Sequence, residues 1–128
     1  MKRWLLGSLL WLLALTAQAS SVPDPALGDT DGVVNALLIS NGVLYLGGSF
    51  TAVFDKNGVQ IDRNNLAAVN LSSGDVTSWN PDVTGTVQAL AVAPDGRTLY
   101  AGGSFSAVGA TPRAYLAAID TTSDSNNL

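Results

Sequence analysis

Two stretches of this chain are nearly the same. Leu44-Tyr45-Leu46-Gly47-Gly48-Ser49-Phe50 returns as Leu99-Tyr100-Ala101-Gly102-Gly103-Ser104-Phe105 at an offset of 55, and Ala52-Val53 returns as Ala107-Val108 at the same offset. Ahead of them, Val34-Asn35-Ala36-Leu37 matches Val87-Gln88-Ala89-Leu90 at an offset of 53. Behind them, Arg63 and Leu66-Ala67-Ala68-Val69-Asn70 match Arg113 and Leu116-Ala117-Ala118-Ile119-Asp120 at an offset of 50. The offset changes only in turn-rich stretches, around Pro94-Asp95-Gly96 in the second copy and between Val53 and Arg63 in the first. A period near 50 residues constrains the fold more than any other feature, because a repeat unit buries its apolar face only against its neighbour.

Each copy reads as short strands. Residues 33–39 and 86–93 are apolar runs rich in β-branched side chains, and residues 43–48 and 98–103 follow them behind Asn41-Gly42 and Pro94-Asp95-Gly96. Those turns predict hairpins, since glycine takes positive φ without steric cost. Residues 66–71 and 115–120 give a third strand. In the first copy Ser72-Ser73-Gly74-Asp75 turns into a fourth, residues 76–79, stopped by Asn80-Pro81. Nothing carries a sustained 3.6-residue period with helix caps. The fold class expected is all-β, with antiparallel four-stranded β-propeller blades repeated about twice; HEAT and armadillo repeats share the period but are helical. A two-sheet sandwich built from both copies is the structural alternative.

The segment VQALAVAPDGRTLYAGGSFSAVGATPRAYLAAID resembles the repeat of bacterial secreted β-propeller proteins, the delta-60-type repeat of unknown function. The resemblance runs over Val34–Pro81 and Val87–Asp120, with Asn41-Gly42 replacing the Pro-Asp-Gly turn in the first copy. It implies a blade fold, a secreted or surface setting and a scaffolding or recognition role, and it brings no catalytic residue set. Asp124 stands where the first copy has the turn glycine Gly74, and the second copy lacks a counterpart of Trp79. Propellers close with four to eight blades. About two blades therefore predict a fragment of a larger propeller: a lead-in over 20–32, a first repeat over 33–81, an incomplete second over 82–120 and a truncated tail over 121–128.

Residues 1–19 are a different kind of sequence. Lys2 and Arg3 precede an apolar run over 4–16, and Ala17-Gln18-Ala19 ends it with small side chains. That is the three-part secretory signal, with cleavage expected between Ala19 and Ser20. The run is short of the roughly 20 apolar residues a membrane span needs, so no stable membrane anchor is expected. Localisation is predicted to be secreted or periplasmic.

Composition then removes chemistry. The chain has no Cys and no His, and all of its 10 acidic residues are Asp. Disulfides, thiolate catalysis, Cys or His metal sites and Ser-His-Asp triads are excluded. Four scattered cations beyond the signal, Lys56, Arg63, Arg97 and Arg113, make no basic face for nucleic acid.

The remaining candidates are few. Asp29-Thr30-Asp31-Gly32 echoes the start of a calcium loop, making Asp29 and Asp31 candidate metal ligands, but Val33, Val34, Ala36 and Leu37 follow where oxygen ligands belong. A turn into the first strand is the favoured reading. Gly47-Gly48 and Gly102-Gly103 open no helix and have no following Lys, so close approach of neighbouring strands is favoured over a phosphate cradle. Tyr45, Tyr100, Phe50 and Phe105 recur in register, as packing groups do. Trp79, at a strand end, is favoured as a packing residue over a sugar-stacking one. Arg63 and Arg113 share a repeat position, where a contact to a turn Asp or a backbone carbonyl is favoured over an anion clamp. No catalytic set and no cofactor is expected, calcium being the one candidate. The functional expectation is a non-enzymatic interaction or scaffold module recognising protein or glycan. Further propeller blades or self-association are its expected partners. The alternatives are part of a propeller hydrolase or lyase whose site needs missing blades, and a self-assembling structural unit.

Overall fold

The computed structural model describes residues 27–123. The signal segment, its cleavage point at Ala19 and Ser20, the lead-in up to Ala26 and the tail from Asp124 lie outside the described residues. The described residues form ten strands and no helix: β1 (Asp29–Thr30), β2 (Val33–Ser40), β3 (Val43–Ser49), β4 (Ala52–Phe54), β5 (Gln60–Asp62), β6 (Leu66–Asn70), β7 (Val83–Val92), β8 (Thr98–Val108), β9 (Thr111–Pro112) and β10 (Leu116–Asp120). Every pairing is antiparallel, so the protein is all-β and antiparallel.

Turn chemistry sets the two main sheets. Asn41 and Gly42 both take positive φ, 51° and 75°, which is the geometry of a two-residue hairpin whose twist matches the strands. It joins β2 to β3, and β6 returns along the other edge of β3. In the second sheet Gly96, at φ 72°, donates its amide to the Ala93 carbonyl at 2.9 Å and closes the β7–β8 hairpin. Here β10 pairs the far edge of β8.

The registers of the two sheets correspond. Leu38, Tyr45 and Ala68 lie side by side in the first; Ala91, Tyr100 and Ala118 lie side by side in the second. Each sheet carries a bulge at the same place, between Val34 and Ala36 and between Val87 and Ala89.

The sheets stack, with β7 packed across β2 and β3. Because successive side chains point to opposite faces, the first sheet sends Tyr45, Ala68 and the partly buried Leu38 and Val43 toward the second. The second answers with Val87, Leu90, Leu99, Ala101, Ala117 and Ile119 in the same apolar cluster. A smaller cluster of Phe50, Val53 and Ala67, with Val34, Leu46 and Val76 against it, lies on the other side of the first sheet.

Three details depart from the strand reading of the sequence. First, β1, β4 and β5 form a small separate sheet. Its counterpart in the second copy is continuous: β7 runs through a bulge at Gly85 (φ 113°), so that Val83 and Thr84 pair Val108 and Ala107 of a longer β8. Second, β7 begins at Val83 rather than at Thr86. Third, the fourth strand at 76–79 shrinks to one bridge, Val76 to Val69. Trp79 leaves the sheet edge instead and turns between the two sheets, with Pro81 buried behind it.

Tyr115 holds φ of 71° where the first copy has Asn65 at 65°. Asn tolerates this left-handed region, and Asn65 also accepts from the Phe50 amide at 3.1 Å and donates to the Val83 carbonyl at 2.8 Å. Tyrosine has a bulky Cβ substituent and no local hydrogen bond to offset the crowding. Tyr115→Asn is expected to stabilise the fold by about 1 kcal/mol, read from urea unfolding. A loss of stability would contradict the strain.

Candidate functional site

The described residues gather chemistry sparsely and apolar surface generously. The most apolar concavity lies on the outer face of the first sheet, a cleft of about 240 Å³. Val34, Leu37, Leu44, Leu46, Val53 and Val69 line it together with residues 27–30, which lead into and form β1. Leu37 in its lining and Ile39 on the same face of β2 are 62% and 64% exposed. The second sheet has an open face of its own, where Tyr100 and Leu116 are 44% and 67% exposed. Their counterparts in the first sheet, Tyr45 and Leu66, are buried between the sheets.

Glycine spacing shows why one face is closed and the other open. A Cβ on Gly47 would lie 2.5 Å from Val87 Cγ1, so glycine is what lets β7 approach β3. A Cβ on Gly102, the same position in the second copy, would meet only the Tyr115 carbonyl at 3.8 Å. Gly48 and Gly103 act within their own sheets: a Cβ there would collide with the Val33 and Thr86 carbonyls. Only Gly47 of the four thus serves the approach of one sheet to the next.

Trp79 is buried with its ring edge-on to Tyr45, centroids 5.3 Å apart and planes at 84°. Its indole N–H donates to the Asp120 carbonyl at 2.9 Å, a bond from one sheet to the other. Burial raises the Tyr45 hydroxyl above its ordinary value, partly offset by a hydrogen bond with Thr121. Phe50 and Phe105 are both buried, in the smaller and the larger apolar cluster.

The two arginines differ. Arg63 donates to the Asp62 carbonyl at 2.7 Å and to the Thr77 carbonyl at 2.8 Å, so it ties β5 to the segment after β6. Desolvation lowers its guanidinium and nearby Asp62 opposes that shift. Arg113 is exposed at the rim of the open face of the second sheet, close to Tyr100 and Leu116.

Asp29 and Asp31 are not turned toward one point. Asp29 accepts from the Thr30 amide beside it at 2.8 Å. Asp31 accepts from the Thr51 amide at 2.8 Å, the Ala52 amide at 2.9 Å and the Thr51 hydroxyl, bracing the start of β4. Among the described residues no group of three His, Cys, Asp or Glu is placed to share a metal ion. The Thr51 hydroxyl, then the Ala52 and Thr51 amides, hold the Asp31 carboxyl below its ordinary 3.8. A lowered folded-state value means that the stabilisation is complete above the unfolded value and disappears as pH falls through the folded one. Asp31→Ala is therefore expected to lower Tm at pH 7, with the gap to wild type closing below about pH 4. A gap that persists unchanged at pH 2 would contradict this.

Sequence reasoning missed the cleft and the two open faces. Leu37 and Leu90 occupy equivalent places in the same apolar pattern, and only the packing separates the exposed one from the covered one. No protein-family model matches the chain, and no curated protein and no solved structure matches it at a significant level.

Proposed function

We propose that the chain is an exported segment of a β-propeller, about two blades long, acting as a non-enzymatic interaction or scaffold module for a protein or glycan ligand. The observation that supports this reading most is the stacking. Two antiparallel sheets of corresponding register pack one behind the other, and each extends a different apolar face outward. Stacked repeat sheets of this kind supply rigid walls and loops rather than a set of reacting groups. The resemblance of the repeats to secreted propeller repeats points the same way, as does the basic, apolar and small-residue order of residues 1–19.

Two measurements test it. N-terminal sequencing of the exported protein is expected to begin at Ser20; retention of residues 1–19 would overturn the export half. Affinity electrophoresis of the mature protein through gels containing acidic or neutral polysaccharides is expected to show retarded migration with polymer length unchanged. Shortening of the polymer would overturn the non-enzymatic half, and free migration in every gel would remove glycans and leave protein recognition.

A further inference from the structure

The two sheets meet through unlike faces, and each leaves the opposite kind uncovered. Where they meet, Tyr45, Gly47 and Ala68 of the first face Val87, Leu99 and Ile119 of the second. Left open are Leu37 and the partly buried Val34 and Leu44 on the first sheet, around Val69, which is buried in the lining of the cleft, and Tyr100, Leu116 and Ala118 on the second, beside the partly exposed Gly102. The repeat offsets carry Val34 to Val87, Leu44 to Leu99 and Val69 to Ile119; they carry Tyr45 to Tyr100, Gly47 to Gly102 and Ala68 to Ala118. The open faces are therefore the two halves of a contact that the molecule already makes once.

We propose that a second copy of the chain docks head to tail, its cleft face covering the Tyr100 face of the first copy. Val34 of the incoming copy sits over Gly102, as Val87 sits over Gly47. The notch is ready, since nothing lies within 3.8 Å of a Cβ built on Gly102. Tyr100 enters the cleft over Leu44 and Val69, as Tyr45 packs in one cluster with Leu99 and Ile119. One polar contact also has a counterpart. Asn35 Nδ2 donates to the Val87 carbonyl at 3.0 Å, and Gln88, its equivalent, offers the same amide to the Val34 carbonyl of the incoming copy. Three others have none: Asn64 and Asn65 donate to Asp82 and to the Val83 carbonyl, while Ala114 and Tyr115 stand in their places, and the Trp79 indole donates to the Asp120 carbonyl, while the second copy has no counterpart of Trp79. The contact between copies is accordingly weaker than the one within the chain, a micromolar association rather than a permanent one. Because the two faces differ, it is a heterologous contact that continues into longer assemblies or closes as a ring.

The inference rests on the stacked-sheet reading, and its test is independent of ligand binding. Sedimentation velocity of the mature chain from about 10 to 500 µM is expected to show mass rising with concentration. Leu37→Asp spoils one face and Gly102→Val the other, so each variant alone is expected to stay monomeric. An equimolar mixture of the two is expected to recover a 1:1 dimer and stop there, because one intact pair of faces remains. Ile39→Asp and Tyr100→Asp serve as replacements if either variant loses the wild-type circular dichroism spectrum. A wild-type chain that stays monomeric throughout, a Gly102→Val variant that associates like wild type, or a mixture that remains monomeric would each overturn the proposal. A monomer whose circular dichroism spectrum and melting are those of a folded sheet protein would leave the stacked-sheet reading intact.

Discussion

Replacing Trp79 with alanine is expected to cost about 3–5 kcal/mol, a large part of the stability of a domain this small. The indole fills the gap where the edge of the first sheet turns toward the second, and only 5% of it is exposed. Three losses add together. The buried aromatic area goes, with a cavity left behind. The edge-on contact with Tyr45 goes, worth about 1 kcal/mol beyond area. The hydrogen bond to the Asp120 carbonyl goes as well, leaving one fewer tie between the sheets. Trp79→Phe keeps most of the apolar volume and loses the N–H donor, so it is expected to fall between wild type and alanine, about 1–2 kcal/mol below wild type. Urea unfolding followed by circular dichroism reads both. An alanine variant as stable as wild type would mean that Trp79 is not the plug between the sheets.

The second large effect is a contrast between equivalent glycines. Gly47→Val is expected to destabilise by about 3 kcal/mol, whereas Gly102→Val is expected to stay within about 0.5 kcal/mol of wild type. At Gly47 the new side chain meets Val87, which is β-branched, fully buried and unable to swing aside. At Gly102 its Cβ meets only the Tyr115 carbonyl oxygen, at an ordinary contact distance of 3.8 Å. Neither glycine has positive φ, so backbone strain does not separate the two substitutions. The contrast measures the packing of one sheet on the next, and equal costs at the two sites would contradict it. The comparison is made well below micromolar concentration, where a micromolar contact between copies is not populated.

Much of this architecture is legible in the sequence. The Asn41-Gly42 and Pro94-Asp95-Gly96 turns locate both hairpins, and the apolar runs locate the three long strands of each sheet. What the sequence hides falls into two kinds. Strands of two or three residues, such as β1, β4 and β5, have no period to detect, and their pairing depends on the Asp31 carboxylate gripping Thr51 and Ala52. The fourth strand is lost for a different reason: burying the indole of Trp79 between the sheets competes with pairing along the edge, and only Val76 remains bridged. The candidate site is hidden more deeply. Leu66 and Leu116 read alike in the sequence, yet one is fully buried and the other is mostly in solvent. Periodicity shows which residues share a face, but the neighbour that covers the face lies in another part of the chain or in another molecule.

Stacking of the two sheets through Gly47 and Val87 carries all of these expectations, and methyl NOE spectroscopy of the mature protein tests it most directly. Cross-peaks from the Val87 methyl groups to the Gly47 α-protons are predicted, together with cross-peaks from the Trp79 indole to the Tyr45 ring. Val87 methyl groups that show neither a Gly47 contact nor any other contact to β3, in a chain that retains both hairpins, would contradict the stacked arrangement.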